Sequence, residues 1–236
     1  GTDAVDAAID GSCATLSGTC TLRAAVQEAN AVLGSTEIRF APGVDSVSLD
    51  LSGAGGADVG DLDIAGGNTV RLIGNQITSI DTTLIKAGGL GDRHVHVAPG
   101  ARLELDLVEL ADGSTTGDGG AILNEGQVLI TNRPESTGTY LAISSSDAAG
   151  AGGAVANLDG ASLEVRNVST STESSRVDFF SNTAGTVGGA ISNLSGTVVL
   201  EGNSSGAAHD VYVDANTAVA DGGAVHNTKG SITLGC

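Results

Sequence analysis

Gly119-Gly120-Ala121-Ile122-Leu123-Asn124 decides the fold, because the phrase returns three times. It comes back as Gly152-Gly153-Ala154-Val155-Ala156-Asn157, Gly188-Gly189-Ala190-Ile191-Ser192-Asn193 and Gly222-Gly223-Ala224-Val225-His226-Asn227. The starts lie 33, 36 and 34 residues apart, a period that belongs to repeat architectures. Working outward, an apolar residue stands nine places before each Gly pair: Leu110, Ile143, Phe179 and Val213. Three places after it come the small or polar turn formers Gly113, Ser146, Asn182 and Asn216. Past each phrase a glycine precedes an alternating run: Gln127–Ile130, Ser162–Val165, Thr197–Leu200 and Ser231–Leu234. Asn132, Asn167 and Asn203 follow the first three runs, and Cys236 follows the fourth.

Each repeat therefore carries three short strands divided by Gly and Asn turns, too short and too β-branched for helices. One unit cannot bury its apolar face alone, but units stacked coil upon coil can. The expected fold is all-β: a right-handed, single-stranded parallel β-helix, a three-faced solenoid, with a short N-terminal α-helical cap. Asn124, Asn157, Asn193 and Asn227 then form an inward ladder at one corner, each amide bonding its neighbours so that none is buried unpaired. Residues 46–110 continue the theme more loosely: Val47, Leu49 and Leu51 alternate, as do Leu62 with Ile64, Val70 with Leu72, Val95 with Val97, and Leu103, Leu105 and Leu107. The division expected is a cap over 1–45 and a β-helix over 46–236, regular from about 103.

In the cap, Leu22–Leu33 reads as a helix, with Thr21 as N-cap and Gly34 as its end. Leu22, Ala25, Val26, Ala29 and Leu33 line one face, while Arg23, Gln27, Glu28 and Asn30 are expected to face away. Cys13 and Cys20 stand seven apart in a Gly/Ser/Thr loop, a spacing a disulfide closes. A metal would need further His or Cys ligands nearby. A disulfide fits an oxidising compartment. Cys236 is left over, either free or bridging to another chain. The chain starts at Gly1 without a signal peptide, as a processed form would.

The segment Cys20-Thr21-Leu22-Arg23-Ala24-Ala25-Val26-Gln27-Glu28-Ala29-Asn30, preceded by Asp10-Gly11-Ser12-Cys13, resembles the CSLREA domain of bacterial surface proteins, with Ala24 where that motif usually has Glu. Glu37-Ile38-Arg39-Phe40 and Gly60-Asp61-Leu62-Asp63-Ile64 are similar to that family's continuation. The repeats resemble those of polymorphic outer-membrane proteins, which combine Gly-Gly-Ala-Ile with Phe-x-x-Asn; Phe179-Phe180-Ser181-Asn182 ahead of Gly188 carries both elements. These resemblances imply a secreted or surface-anchored β-helix, often adhesive, and imply no catalytic residues.

Composition agrees with a thin, regular interior. There are 36 Gly, no Trp, no Met, two Tyr and three Phe, so Ala, Val, Ile and Leu must fill the core. Mean hydropathy of +0.16 argues against disorder. The formal charge of −18 repels nucleic acid and anionic lipid. It suits divalent cations, cationic partners or a salty medium, or serves solubility alone. No apolar run is long enough to span a membrane.

The candidates for chemistry are few. Asp58, Asp61 and Asp63 form the densest acidic group; they read as a solvated strand end, with calcium as the alternative. His94 and His96 alternate, which places both on one side of a strand, where a metal would lack an assured third ligand. Gly88-Gly89-Leu90-Gly91-Asp92 only partly matches a calcium-binding nonapeptide. Gly117–Gly120 lacks the Lys of a phosphate loop, and no Gly-x-Ser-x-Gly elbow occurs. No catalytic residue and no cofactor is expected, calcium aside. The expectation is a non-catalytic extracellular or cell-surface module, adhesive or a structural stalk, secreted or on a bacterial cell surface such as the outer membrane. Its partners would be surface glycans, proteins or further copies of itself. The alternatives are a subunit of a self-assembling extracellular filament, and a β-helix that binds or cleaves polysaccharide as a lyase or hydrolase.

Overall fold

The computed structural model describes residues 3–50, 59–76, 82–88, 90–135, 138–203 and 208–235. Asp58, Leu51, Gly89 and Cys236 lie outside the described residues. The chain forms a parallel β-solenoid, with one helix among the described residues. Every rung pairs in parallel with its equivalent one coil away. Sheet 1 stacks seven strands: Gly34–Arg39, Asn68–Ile73, Arg102–Asp106, Gln127–Thr131, Ser162–Arg166, Thr197–Glu201 and Ser231–Gly235. Sheet 2 stacks six: Ser46–Ser48, Thr83–Lys86, Val108–Ala111, Tyr140–Ser144, Ser175–Phe180 and His209–Asp214. Sheet 3 stacks the two-residue strands Ser114–Thr115, Asp147–Ala148, Thr183–Ala184 and Thr217–Ala218. Sheet 4 stacks Leu62–Ile64, Val95–Val97, Ile122–Asn124, Val155–Asn157, Ile191–Leu194 and Val225–Thr228. Sheet 3 is a fourth, minor ladder beside the three expected faces. Two residues carry no period, so alternation does not reveal it.

Inside, like stacks on like. Leu103, Val128, Leu163, Val198 and Ile232 share one rung position of sheet 1, and Leu110, Ile143, Phe179 and Val213 share one of sheet 2. Burying each such side chain contributes about 1.5–3 kcal/mol, and the ladders join into one core cluster from the helix to the last coils.

The corners depend on backbone chemistry. The first glycine of each pair (Gly119, Gly152, Gly188, Gly222) sits at φ between 68° and 71°, the left-handed region that favours glycine. The second has no room: a Cβ on Gly120, Gly153 or Gly189 would overlap the carbonyl oxygen of the equivalent glycine in the next coil. At the asparagine corner, Asn124, Asn157, Asn193 and Asn227 pair in register. Nδ2 of each of the first three donates to Oδ1 of the next at 2.7 Å. Two further asparagine contacts close other corners: Asn132 to Asn167 at 2.8 Å and Asn182 to Asn216 at 2.9 Å.

The cap corrects the expected helix. It spans Leu22–Ala31, with Thr21 accepting from the Ala24 amide. Gly34 already belongs to sheet 1, and Leu33 is 80 % exposed rather than packed. Leu22, Val26 and Ala29 join the core. The polar face is not turned to solvent, because it closes an otherwise open sheet edge. Arg23 is fully buried, paired with Asp3 at 2.8 Å and donating to the carbonyls of Gly60 and Asp61. Asn30 donates to the Asp63 carbonyl and accepts from the Ala65 amide. These groups flank the edge strand Leu62–Ile64, and among the described residues no further strand pairs with that edge. On the outer side, residues 3–15 fold back over the helix. Gln27 accepts from the Asp6 amide, and Glu28 accepts from the amides of Asp10 and Gly11. A Cys13–Cys20 disulfide ties this segment to the helix start.

Candidate functional site

The acidic and imidazole candidates meet on sheet 4, but not as one cluster. Asp63 and His96 stack in register, and both point outward because Leu62, Ile64, Val95 and Val97 fill the interior. His96 Nδ1 lies 3.0 Å from Asp63 Oδ1, and Nε2 lies 2.7 Å from Glu125 Oε2. The hydrogen bond to Asp63, with that to Glu125, raises the imidazole from its ordinary 6.5 to about 9 against partial burial. At neutral pH it is an imidazolium with both nitrogens engaged, so no lone pair is left for a metal.

His94 is the correction. It does not share the His96 side; it is fully buried and points inward. The amides of both His94 and Val95 bond the single carbonyl of Ala121. That bend puts two consecutive residues inside and resets the alternation. The same double bond recurs at Ala121–Ile122, Ala154–Val155 and Ala190–Ile191, so His94 stands where the repeats place Ala. Gly113 makes the room: a Cβ there would come within 2.9 Å of His94 Nδ1. Nε2 faces the carbonyls of Ala111 at 2.9 Å and Ile85 at 3.2 Å. Burial lowers this imidazole to about 4; it is neutral and serves packing.

Asp61 is also buried, held by Arg93 at 2.9 Å. Burial raises its carboxyl above the usual range, and Arg93 opposes this. Asp61 and Asp63 thus have separate partners. Among the described residues no group of three or more His, Cys, Asp or Glu is arranged to hold a metal ion.

A second array was not singled out from sequence. On the outer face of sheet 2, Tyr140 pairs in register with Arg176, and Asp178 with Tyr212. The Arg176 guanidinium carbon lies 4.5 Å from the Tyr140 ring centroid and 5.3 Å from that of Tyr212, within cation–π range. Arg176 Nη2 also meets Asp178 Oδ2 at 2.7 Å, and Tyr212 Oη donates to Asp210 at 3.1 Å. A cavity of about 360 Å³ opens here, lined by Thr139, Tyr140, Ser175, Arg176, Asp210 and Tyr212 among others. The available signal was that both tyrosines of the chain fall in equivalent strands two repeats apart.

No family model matches the chain, no curated protein matches it, and no solved structure matches it.

Proposed function

We propose that the chain is a non-catalytic module of a secreted or cell-surface protein, a rigid stalk that also presents an adhesive face. One observation carries this reading: the acids best placed for catalysis are already engaged. Asp61 is held by Arg93, Asp63 by His96, Asp106 by Arg71 and Arg133, and Asp178 by Arg176. Cleaving a glycan requires carboxylates poised on the substrate with separated proton affinities, and carboxylates in these ion pairs serve structure instead. The stack also suits a stalk, since seven rungs of sheet 1 extend about 29 Å at strand spacing. The Cys13–Cys20 disulfide accords with an oxidising exterior, as does the resemblance to CSLREA and outer-membrane repeats.

The filament alternative has less support. Growth at the N-terminal edge would have to displace the helix, whose Arg23 and Asn30 occupy the carbonyls there. The test is incubation with pectin, xylan, alginate, chitin and mannan, following reducing ends and unsaturated uronates. No release is expected; reproducible release abolished by an Asp substitution would overturn the proposal.

A further inference from the structure

Half of the chain's ten basic residues gather on one surface. On the outer face of sheet 1, Arg39, Arg71, Arg102, Arg133 and Arg166 meet Glu37, Glu104, Asp106, Glu164 and Glu201 in ion pairs that run from the first strand to the sixth. Five charges of each sign cancel. Of the 28 acids, 23 lie elsewhere, against the remaining five basic residues, so the whole of the −18 is carried off this face. Charges are screened over about 8 Å at physiological salt. Two approaching bodies therefore feel mainly the surfaces that face each other.

We infer that the outer face of sheet 1 pairs side by side with the same face of a second copy of this chain, weakly and reversibly, with Leu129 at its centre. Charge and area together select this face. The strands of sheet 2 carry Lys86 and Arg176 against Glu109, Asp178, Asp210 and Asp214, a net −2, so two such faces repel. Sheet 4 is nearly neutral, with His96 held between Asp63 and Glu125. Its strands are only three or four residues long, however, and two such strips in contact would cover about 500 Å² in total, the size of an incidental contact. Sheet 1 offers strands of five or six residues on seven rungs, a face of about 17 by 29 Å. Two of these cover about 1,000 Å² together, the threshold of a specific interface, which makes the pair concentration-dependent rather than permanent. Leu129 occupies the middle outward column, in register with Glu104 and Glu164, on the fourth of the seven rungs. Val199 follows in the same column two rungs on, and both are half-buried. An apolar centre within a polar rim is the anatomy of a protein–protein contact.

The pairing goes beyond the stalk reading and does not rest on it: a strictly monomeric chain would overturn the pair and leave the stalk standing. The helix cap takes no part in it. Sedimentation equilibrium of the full chain, from micromolar to near-millimolar concentration at physiological salt, is the test. Leu129→Glu puts a charge at the centre of the face. Thr197→Glu puts one at a position of the same face that is already exposed, so a central variant that failed to fold would leave a second one to read. Leu33→Glu on the cap and Leu194→Glu on sheet 4 add the same charge at well-exposed apolar side chains. Circular dichroism checks each variant. The unmodified chain is expected to pass reversibly from monomer to dimer. Either face variant should raise the dissociation constant about tenfold or more, since like charges then meet across the contact, and Leu33→Glu and Leu194→Glu should leave it unchanged. A chain that stays monomeric over the whole range overturns the inference. So does association that the folded face variants leave intact, or that Leu33→Glu or Leu194→Glu disrupts instead.

Discussion

Replacing Asn157 by Leu tests the asparagine ladder where it is most enclosed. Asn157 is fully buried. Its Oδ1 accepts from Asn124 and its Nδ2 donates to Asn193 Oδ1, both at 2.7 Å. Leucine has similar volume, so the cost is mainly electrostatic. Asn124 keeps a second acceptor, the Ser162 carbonyl at 2.9 Å, but Asn193 Oδ1 loses the donor that reaches it from below. A buried polar group left unpaired costs about 1–3 kcal/mol. With the weakened Asn124 amide and a partial offset from leucine burial, the net loss should be about 2–4 kcal/mol. Against a typical total of about 5–15 kcal/mol that is a large fraction. Asn227→Leu is the matched control. It sits exposed at the end of the described ladder, and Asn193 Nδ2 would keep the carbonyls of Gly196 and Ser231, so the loss should be below about 1 kcal/mol. Urea unfolding followed by circular dichroism should show the Asn157 variant's midpoint lowered by about 1–2 M at an unchanged slope. Equal losses in the two variants, or less than about 1 kcal/mol for Asn157→Leu, would refute the view that satisfied ladder amides hold this corner.

Three other expectations follow from the same structure. The two sheet-4 histidines should bend the stability profile in opposite directions. His96 has a folded pKa raised to about 9 from 6.5, so its contribution is complete below pH 6.5 and is lost as pH rises through 9. His94 has a folded pKa lowered to about 4, so its contribution is present above pH 6.5 and is lost as pH falls toward 4. Urea midpoints from pH 4 to 10 should lose their alkaline decline in His96→Gln, and a variant that keeps the full decline would contradict the assignment. Gly153→Ala should destabilise by about 1–3 kcal/mol, because its Cβ would overlap backbone on the next coil. Gly160→Ala meets nothing within 4 Å and bears only left-handed strain, about 1–2 kcal/mol, so thermal melts should rank Gly153→Ala as the worse. Arg23→Met should cost about 3–5 kcal/mol, as expected when one partner of a buried ion pair is removed. Hydrogen exchange should show the loss concentrated at the helix and the Leu62–Ile64 edge; a surface-like loss below 1 kcal/mol would show that the cap does not depend on it.

The solenoid was legible because its signal is repetition. One coil per repeat places residues 33–36 apart in direct contact, and a phrase present in four copies leaves only one stacking register. The asparagine column, the apolar rungs and the glycine corners need nothing beyond that register. Other features depend on where a backbone bends or what lies over a face. His94 was misassigned because a bend at the Ala position of each repeat sends two neighbours inward, and alternation counts straight through it. The helix's polar face read as solvated because nothing in its own residues announces that the 3–15 segment will cover it, or that Arg23 will reach Gly60 and Asp61.

Sequence alone determined that this chain stacks coils, which residues fill each rung, and that the beginning of the stack carries a helix. It could do so because parallel in-register pairing turns linear spacing directly into vertical contact. The tertiary structure alone decided which polar groups meet sideways and outward: the clamp of Asp63 and Glu125 on His96, the neutral His94 opposite Gly113, and the Tyr140–Arg176–Tyr212 face. Asp63 with His96 and Tyr140 with Arg176 lie in register one coil apart, but the repeat does not say which outward side chains meet across neighbouring columns; the bends and side-chain directions of the folded backbone decide that.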